Sequence, residues 1–143
     1  MVIFLKIVHV TVAAVWLGHK VLVPFDLRTV AAAGPESGDA VAKVEMASRI
    51  GQTSGLLTFF SGLALIYAVG GFGAVPSGIY VGAGIVIVMF VVGATVARPA
   101  WLGVKRSFDV GDTVGARQAA GRLNTALLVE GVLWVVALGT MIS

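Results

Sequence analysis

The sequence contains no cysteine. That absence excludes disulfides, iron–sulfur clusters held by thiolates and thiolate-bound zinc, while leaving the redox compartment undetermined. Charge is scarce as well: Asp, Glu, Lys and Arg make up 12% of the 143 residues, against 58% hydrophobic. A soluble domain needs a polar skin over every helix, whereas the charged residues here are bunched into two stretches. The apolar segments must therefore meet lipid. The net charge of +3 is not arranged as a basic stripe interleaved with aromatics, so no nucleic acid partner is expected. Nor is there a nucleophile with a matched base, a phosphate-cradling glycine loop after a strand, or a zinc motif. Hydrolase and nucleotide chemistry are not expected, and whether the chain is an enzyme at all stays open.

What the sequence does have is four long apolar runs, at about residues 2–23, 50–69, 79–97 and 123–142. A helix rises ~1.5 Å per residue, so about 20 residues cover a hydrocarbon core of ~30 Å. Each run has spanning length. The first stops at Pro24; it is read as a retained span rather than a cleaved signal peptide, because no cationic stretch precedes it and the region Ala31 to Pro35 is poorly placed for cleavage. Gly70, Gly71, Gly73, Pro76 and Ser77 make a tight hairpin between the second and third runs. The fold expected is all-α: a single integral membrane domain, a four-helix transmembrane bundle running antiparallel, up-down-up-down.

Two polar connections, about 24–49 and 98–122, separate the runs. Helical spacing of Asp39, Ala40, Val41, Val44, Ala47 and Ile50, and of Val114, Ala119 and Leu123 behind a cap at Asp112, prolongs the second and fourth spans beyond the membrane surface. Nine basic residues (Lys20, Arg28, Lys43, Arg49, Arg98, Lys105, Arg106, Arg117 and Arg122) flank these connections, and Lys6 alone falls on the other side. By the positive-inside rule both connections face the cytoplasm, in a plasma membrane of bacterial inner-membrane type. The N-terminus, the hairpin and Ser143 are then outside.

Helices in lipid approach through small residues. Ala14 and Gly18, Gly51 and Gly55, and Gly78 and Gly82 each stand four apart, on one helical face. Tyr67, Tyr80 and Trp101 fit interfacial anchors. The residues that lipid rejects are the candidates for function, since a mid-membrane charge costs at least ~2.5 kcal/mol and faces a bundle interior or cavity. Glu130 is the clearest, at the depth of Thr58 and one turn deeper than Lys20. Two readings stand: a structural acid paired with Lys20 or His19, or a proton-relay or ligand-anchoring carboxylate.

His9 and His19 are ten residues and ~15 Å apart along one helix and point about 80° apart, so one metal cannot bind both. His9 shares a stripe with Ala13, Trp16 and Lys20, which leaves room beside its ligand nitrogen. Neutral imidazole is a good axial ligand for haem iron, and a helix bundle is a natural haem cage. Alternatively His9 hydrogen-bonds across the bundle. Met89 is a candidate partner ligand, although methionine more often packs.

The run His9-Val-Thr-Val-Ala-Ala-Val-Trp16-Leu-Gly18, opening a small protein of four spans with basic inner loops, resembles the first helix of the CopD-like membrane proteins and their small four-helix relatives. It is similar too to the opening of the HemJ-type protoporphyrinogen oxidases. The resemblance covers the first helix, and elsewhere the pattern of spans. It implies haem or copper at His9, and nothing for His19. The chain departs from these families in having two histidines, four methionines and no cysteine, a thin supply of soft ligands for a copper importer. No lysine stands in the third span, where the HemJ type has one.

Three functions follow as expectations. The first is a haem b-binding redox or electron-transfer protein, with His9 as axial ligand beside Ala13 and Trp16. The second is a non-catalytic accessory subunit of a larger membrane complex. The third is a copper or ion transport component using His19, Lys20, Glu130, Gln52 and Asn124, which needs a homo-oligomer to build a pore.

Overall fold

The computed structural model describes residues 1–34 and 38–142. The expected placement of Ser143, and the Pro35 end of the segment weighed for signal cleavage, lie outside the described residues. The elements are α1 (Val2–Ala33), α2 (Gly38–Ala68), a short 3-10 turn (Phe72–Ala74), α3 (Ser77–Val92), a π-helical turn (Gly93–Ala97), α4 (Arg98–Asp109) and α5 (Thr113–Ile142). Because α3, the π turn and α4 are continuous, the described residues form four rods and no strand. All four are long and apolar enough to cross a membrane: Val2–Ala32, Val41–Ala68, Ser77–Asp109 and Thr113–Ile142. The chain is a small membrane protein with an all-α four-helix bundle fold.

Every rod is longer than its apolar run. Prolongation was expected for the second and fourth spans, yet the first continues through Pro24 to Ala33 and the third through the π turn to Asp109. Proline inside a helix removes a hydrogen bond and crowds the preceding turn. Here Pro24 is buried beside Val23 and Leu27, so tertiary packing holds the helix past it. Those extra turns pack together. Val23, Leu27 and Val30 of α1, Val44 of α2, Trp101 and Val104 of α4, and Leu123 and Leu127 of α5 form one buried core at the basic end of the bundle. These residues belong to or adjoin the polar connections, so this core lies at the end of the rods where the charged residues are concentrated. Trp101 belongs to this core with 9% exposure; the expectation of an interfacial anchor there is corrected, because its ring packs inward with α4's apolar face. Tyr67 and Tyr80 are exposed, as anchors would be.

Turn chemistry sets the connections. Gly70 and Gly71 hold φ of +118° and +86°, a left-handed exit that side chains disfavour. The Gly71 N–H donates to the Ile66 carbonyl at 2.8 Å, closing α2. At the other end the Gly115 N–H donates to Asp112 Oδ1 at 2.9 Å, so Asp112 caps α5 as its position predicts. Lys105 of α4 and Arg49 of α2 both donate to the Glu45 carboxylate, at 3.2 and 3.1 Å. α1 packs along α2 and α5, while α3 and α4 pack on α5. α2 and α3 meet through side chains, the Phe59 ring standing edge-on to Phe90.

Candidate functional site

Three rings of α1 lie over three glycines of α2 in antiparallel register. A β-carbon at Gly62 would stand 3.2 Å from His9 Cε1, one at Gly55 3.0 Å from Trp16 Cε2, and one at Gly51 2.5 Å from His19 Cγ. Without side chains at those positions the helices approach closely enough for the rings to seat on backbone. The Gly51 and Gly55 pair therefore serves packing as expected, and Gly82 does the same for Met141 of α5. A β-carbon at Gly18 would meet nothing within 4 Å among the described residues, and Ala14 is exposed. The 80° between His9 and His19 is narrow enough for both to reach α2, at separate levels.

Between those levels runs a ladder of hydroxyls. Ser54 donates to the Gly51 carbonyl (3.1 Å), Thr58 to that of Ser54 (2.7 Å) and Ser61 to that of Thr58 (3.1 Å). His9 Nδ1 lies 3.0 Å from Ser61 Oγ. Since the Ser61 proton is directed to the Thr58 carbonyl, its oxygen accepts, and His9 Nδ1 carries the hydrogen. This assignment leaves Nε2 with the lone pair. The tautomer so assigned matches the arrangement by which proteins orient metal-ligating histidines.

His9 lines a cavity of about 530 Å³ in the half of the bundle nearest the hairpin. Ala13 and Trp16 of α1, Thr58 and Phe59 of α2, Val86 of α3, and Trp134 and Met141 of α5 contribute to its walls. Its volume falls in the range of cofactor and small-molecule pockets, ~300–1,000 Å³, and a mostly apolar wall with few polar groups is the usual composition. On the basic-end side Trp16 stacks on Phe90, centroids 5.6 Å apart, above buried Val86 and Met89. Met89 is thus packing, 1% exposed and not a wall residue. The methionine that does reach the cavity is Met141. No helical periodicity marks it, because it stands at the very end of an apolar run.

Below Trp16, Lys20 donates to Glu130 Oε2 across the α1–α5 contact. Lys20 is 8% exposed and Glu130 1%, and the Lys20 ammonium also stands 5.6 Å from the Trp16 ring centroid, within cation–π range. Glu130 thus pairs with Lys20 and not with His19, a contact common to both readings of this carboxylate. Its other oxygen, Oε1, faces Gly93 at the start of the π turn, where a β-carbon would be 3.3 Å away. π turns inside helices recur at functional sites, and nothing in the sequence pattern announces this one. Glu130 Oε1, both His19 nitrogens and Asn124 Oδ1 have no hydrogen-bond partner among the described residues.

The residues singled out from sequence therefore divide. His9, Ala13, Trp16 and Thr58 share the cavity, Lys20 and Glu130 pair beneath it, and His19 sits on Gly51. Gln52 is exposed, away from any polar interior. Ser61 and Gly62, which orient His9, were not singled out; the signal was the spacing of Ser54, Thr58 and Ser61, one helical stripe. Among the described residues no three His, Cys, Asp or Glu side chains converge as a metal site. Compared with known proteins, the chain matches no family model, no curated protein and no solved structure.

Proposed function

We propose that this protein holds haem b in the hairpin-end cavity, where His9 Nε2 would bind the iron, and acts as a one-electron redox or electron-transfer component of its membrane. The observation that carries this reading is the His9 Nδ1 to Ser61 Oγ contact of 3.0 Å, with Ser61 Oγ also 3.1 Å from the Thr58 carbonyl, an arrangement that assigns the hydrogen to Nδ1 and leaves Nε2 as a donor beside an apolar space of cofactor size. Bound haem would supply a ferric/ferrous couple. The chain's own contribution is to orient the imidazole and to exclude water through Trp16, Phe59 and Trp134. Met141 brings a thioether to the same cavity, a second possible donor type for haem iron. The likeness of the His9 to Gly18 run to the CopD-like and HemJ-type helices points the same way. A copper site has less support, because one imidazole and one thioether are a sparse donor set.

The basic end faces the cytoplasm in this reading, placing the cavity in the outer half of a bacterial-type plasma membrane. The deciding experiment is the absorption spectrum of protein extracted gently from its membrane, with metal analysis. A sharp Soret band that disappears in His9→Ala is the expected result. A colourless protein that also fails to take up added haemin rejects the proposal.

A further inference from the structure

The half of the bundle that contains the cavity is almost free of ionisable groups. Residues 1–16, 59–88 and 134–142 have Lys6, His9, Tyr67 and Tyr80 as their ionisable side chains, and no Asp or Glu. Lys6 is thus the one cationic side chain of that half, set there against the charge bias of the rest of the chain. A lysine near a membrane surface can reach water from any side of its helix, with its stem along the apolar surface. Position on the circumference is therefore informative. Lys6 is on the cavity side, among the lining residues, three residues before His9 and so on the same helical face, one turn nearer the hairpin end. No Asp or Glu side chain lies in that half among the described residues, while the wall beyond Lys6 is apolar apart from Thr58 as far as His9, Trp16 and Trp134.

We infer that Lys6 is an anion subsite at the mouth of the cavity, taking the acidic head of an amphiphile whose apolar body fills the space beyond. The shared chemistry is a carboxylate or phosphate on an apolar body. A haem propionate is the instance that rests on the function proposed above; a lipid phosphate is the other source. The arrangement separates two tasks: Lys6 selects charge at the rim, and His9 supplies a neutral donor inside.

The test uses the full chain carrying Trp101→Phe in phosphatidylcholine nanodiscs and reads fluorescence quenching of the remaining Trp16 and Trp134, which line the cavity. The probes are metal-free mesoporphyrin IX and its dimethyl ester, which lack iron and so do not need His9. The diacid is expected to quench at about tenfold lower concentration than the diester. Lys6→Met abolishes that preference and Lys6→Arg retains it. A preference unchanged in Lys6→Met, or no quenching by either probe, overturns the inference. If nanodiscs containing phosphatidylglycerol erase the preference in the wild type, the anion held at Lys6 is a lipid phosphate, which keeps the subsite and reassigns its source. Haemin titration of His9→Ala reads iron ligation separately, so the haem proposal can fail while Lys6 selectivity stands, or the reverse.

Discussion

Lys20 and Glu130, 110 residues apart in the chain, form an ion pair from which water is almost wholly excluded, with 8% and 1% of their side chains exposed. A buried pair of this kind is weak evidence for stability as such, since desolvation offsets attraction, but removing one partner strands a charge. Glu130→Leu and Lys20→Met are each expected to destabilise the bundle by about 3–5 kcal/mol, and the double variant to recover most of the loss. Thermal unfolding followed by circular dichroism in mild detergent checks this. A double variant as unstable as the worse single one would assign the pair a positive stabilising role instead.

The contact of His19 with Gly51 makes a second prediction. Gly51→Ala places a methyl group 2.5 Å from the ring carbon Cγ, so the ring or the helix must shift. His19→Ala in the same chain removes the obstacle. The two substitutions are expected to couple by about 0.5–3 kcal/mol, the double variant being more stable than additivity allows. Strict additivity in a double-mutant cycle would mean that the helices move apart freely at this level.

Ser61 is the test of the His9 tautomer. Ser61→Ala leaves the helix intact but removes the acceptor for Nδ1–H, so haem affinity is expected to fall about 10–100-fold with folding unchanged. Titration with haemin, monitored at the Soret band, measures it. Affinity equal to the wild type would show that the hydroxyl does not orient the ring.

Position relative to water decides the cost of truncating leucines. Leu27 is 1% exposed in the basic-end core, whereas Leu128 is 55% exposed on the outside of α5. Leu27→Ala is expected to cost about 2–5 kcal/mol. Leu128→Ala is expected to cost far less, because lipid tails are as apolar as the side chain they replace. Comparison of the two unfolding curves in one detergent is sufficient, and similar costs would contradict the assignment of Leu27 to a packed core and of Leu128 to a lipid-facing surface.

The lack of cysteine makes the topology directly measurable. Gly73→Cys at the hairpin and Arg117→Cys near the start of α5 each create a single thiol. Membrane-impermeant maleimide applied to intact cells is expected to label the first and spare the second. The opposite pattern reverses the orientation, and labelling of both indicates that the chain does not hold four spans.

Much of this was legible in the amino-acid order. Four apolar runs of spanning length, a glycine hairpin and an aspartate cap are local signals, and local signals survive without tertiary information: the runs became the four rods and Asp112 caps α5. The rarity of Glu130 and Lys20 in apolar surroundings also marked them, because lipid penalises charge whatever the packing.

Their mutual contact, by contrast, depended on how α1 crosses α5, and periodicity carries no information about which helices become neighbours. Pro24 was read as a stop because proline disfavours helix locally; the buried turns around Val23 and Leu27 overrode it. Trp101 turned inward for the same reason, since α4's apolar face had a core to join. Likewise Met141 in place of Met89 at the cavity, Ser61 beneath His9 and the π turn opposite Glu130 are relations between helices. A one-dimensional pattern fixes which residues avoid water and which cannot enter lipid; only the packed bundle decides which of them touch, because contact is a property of paired surfaces rather than of either surface alone.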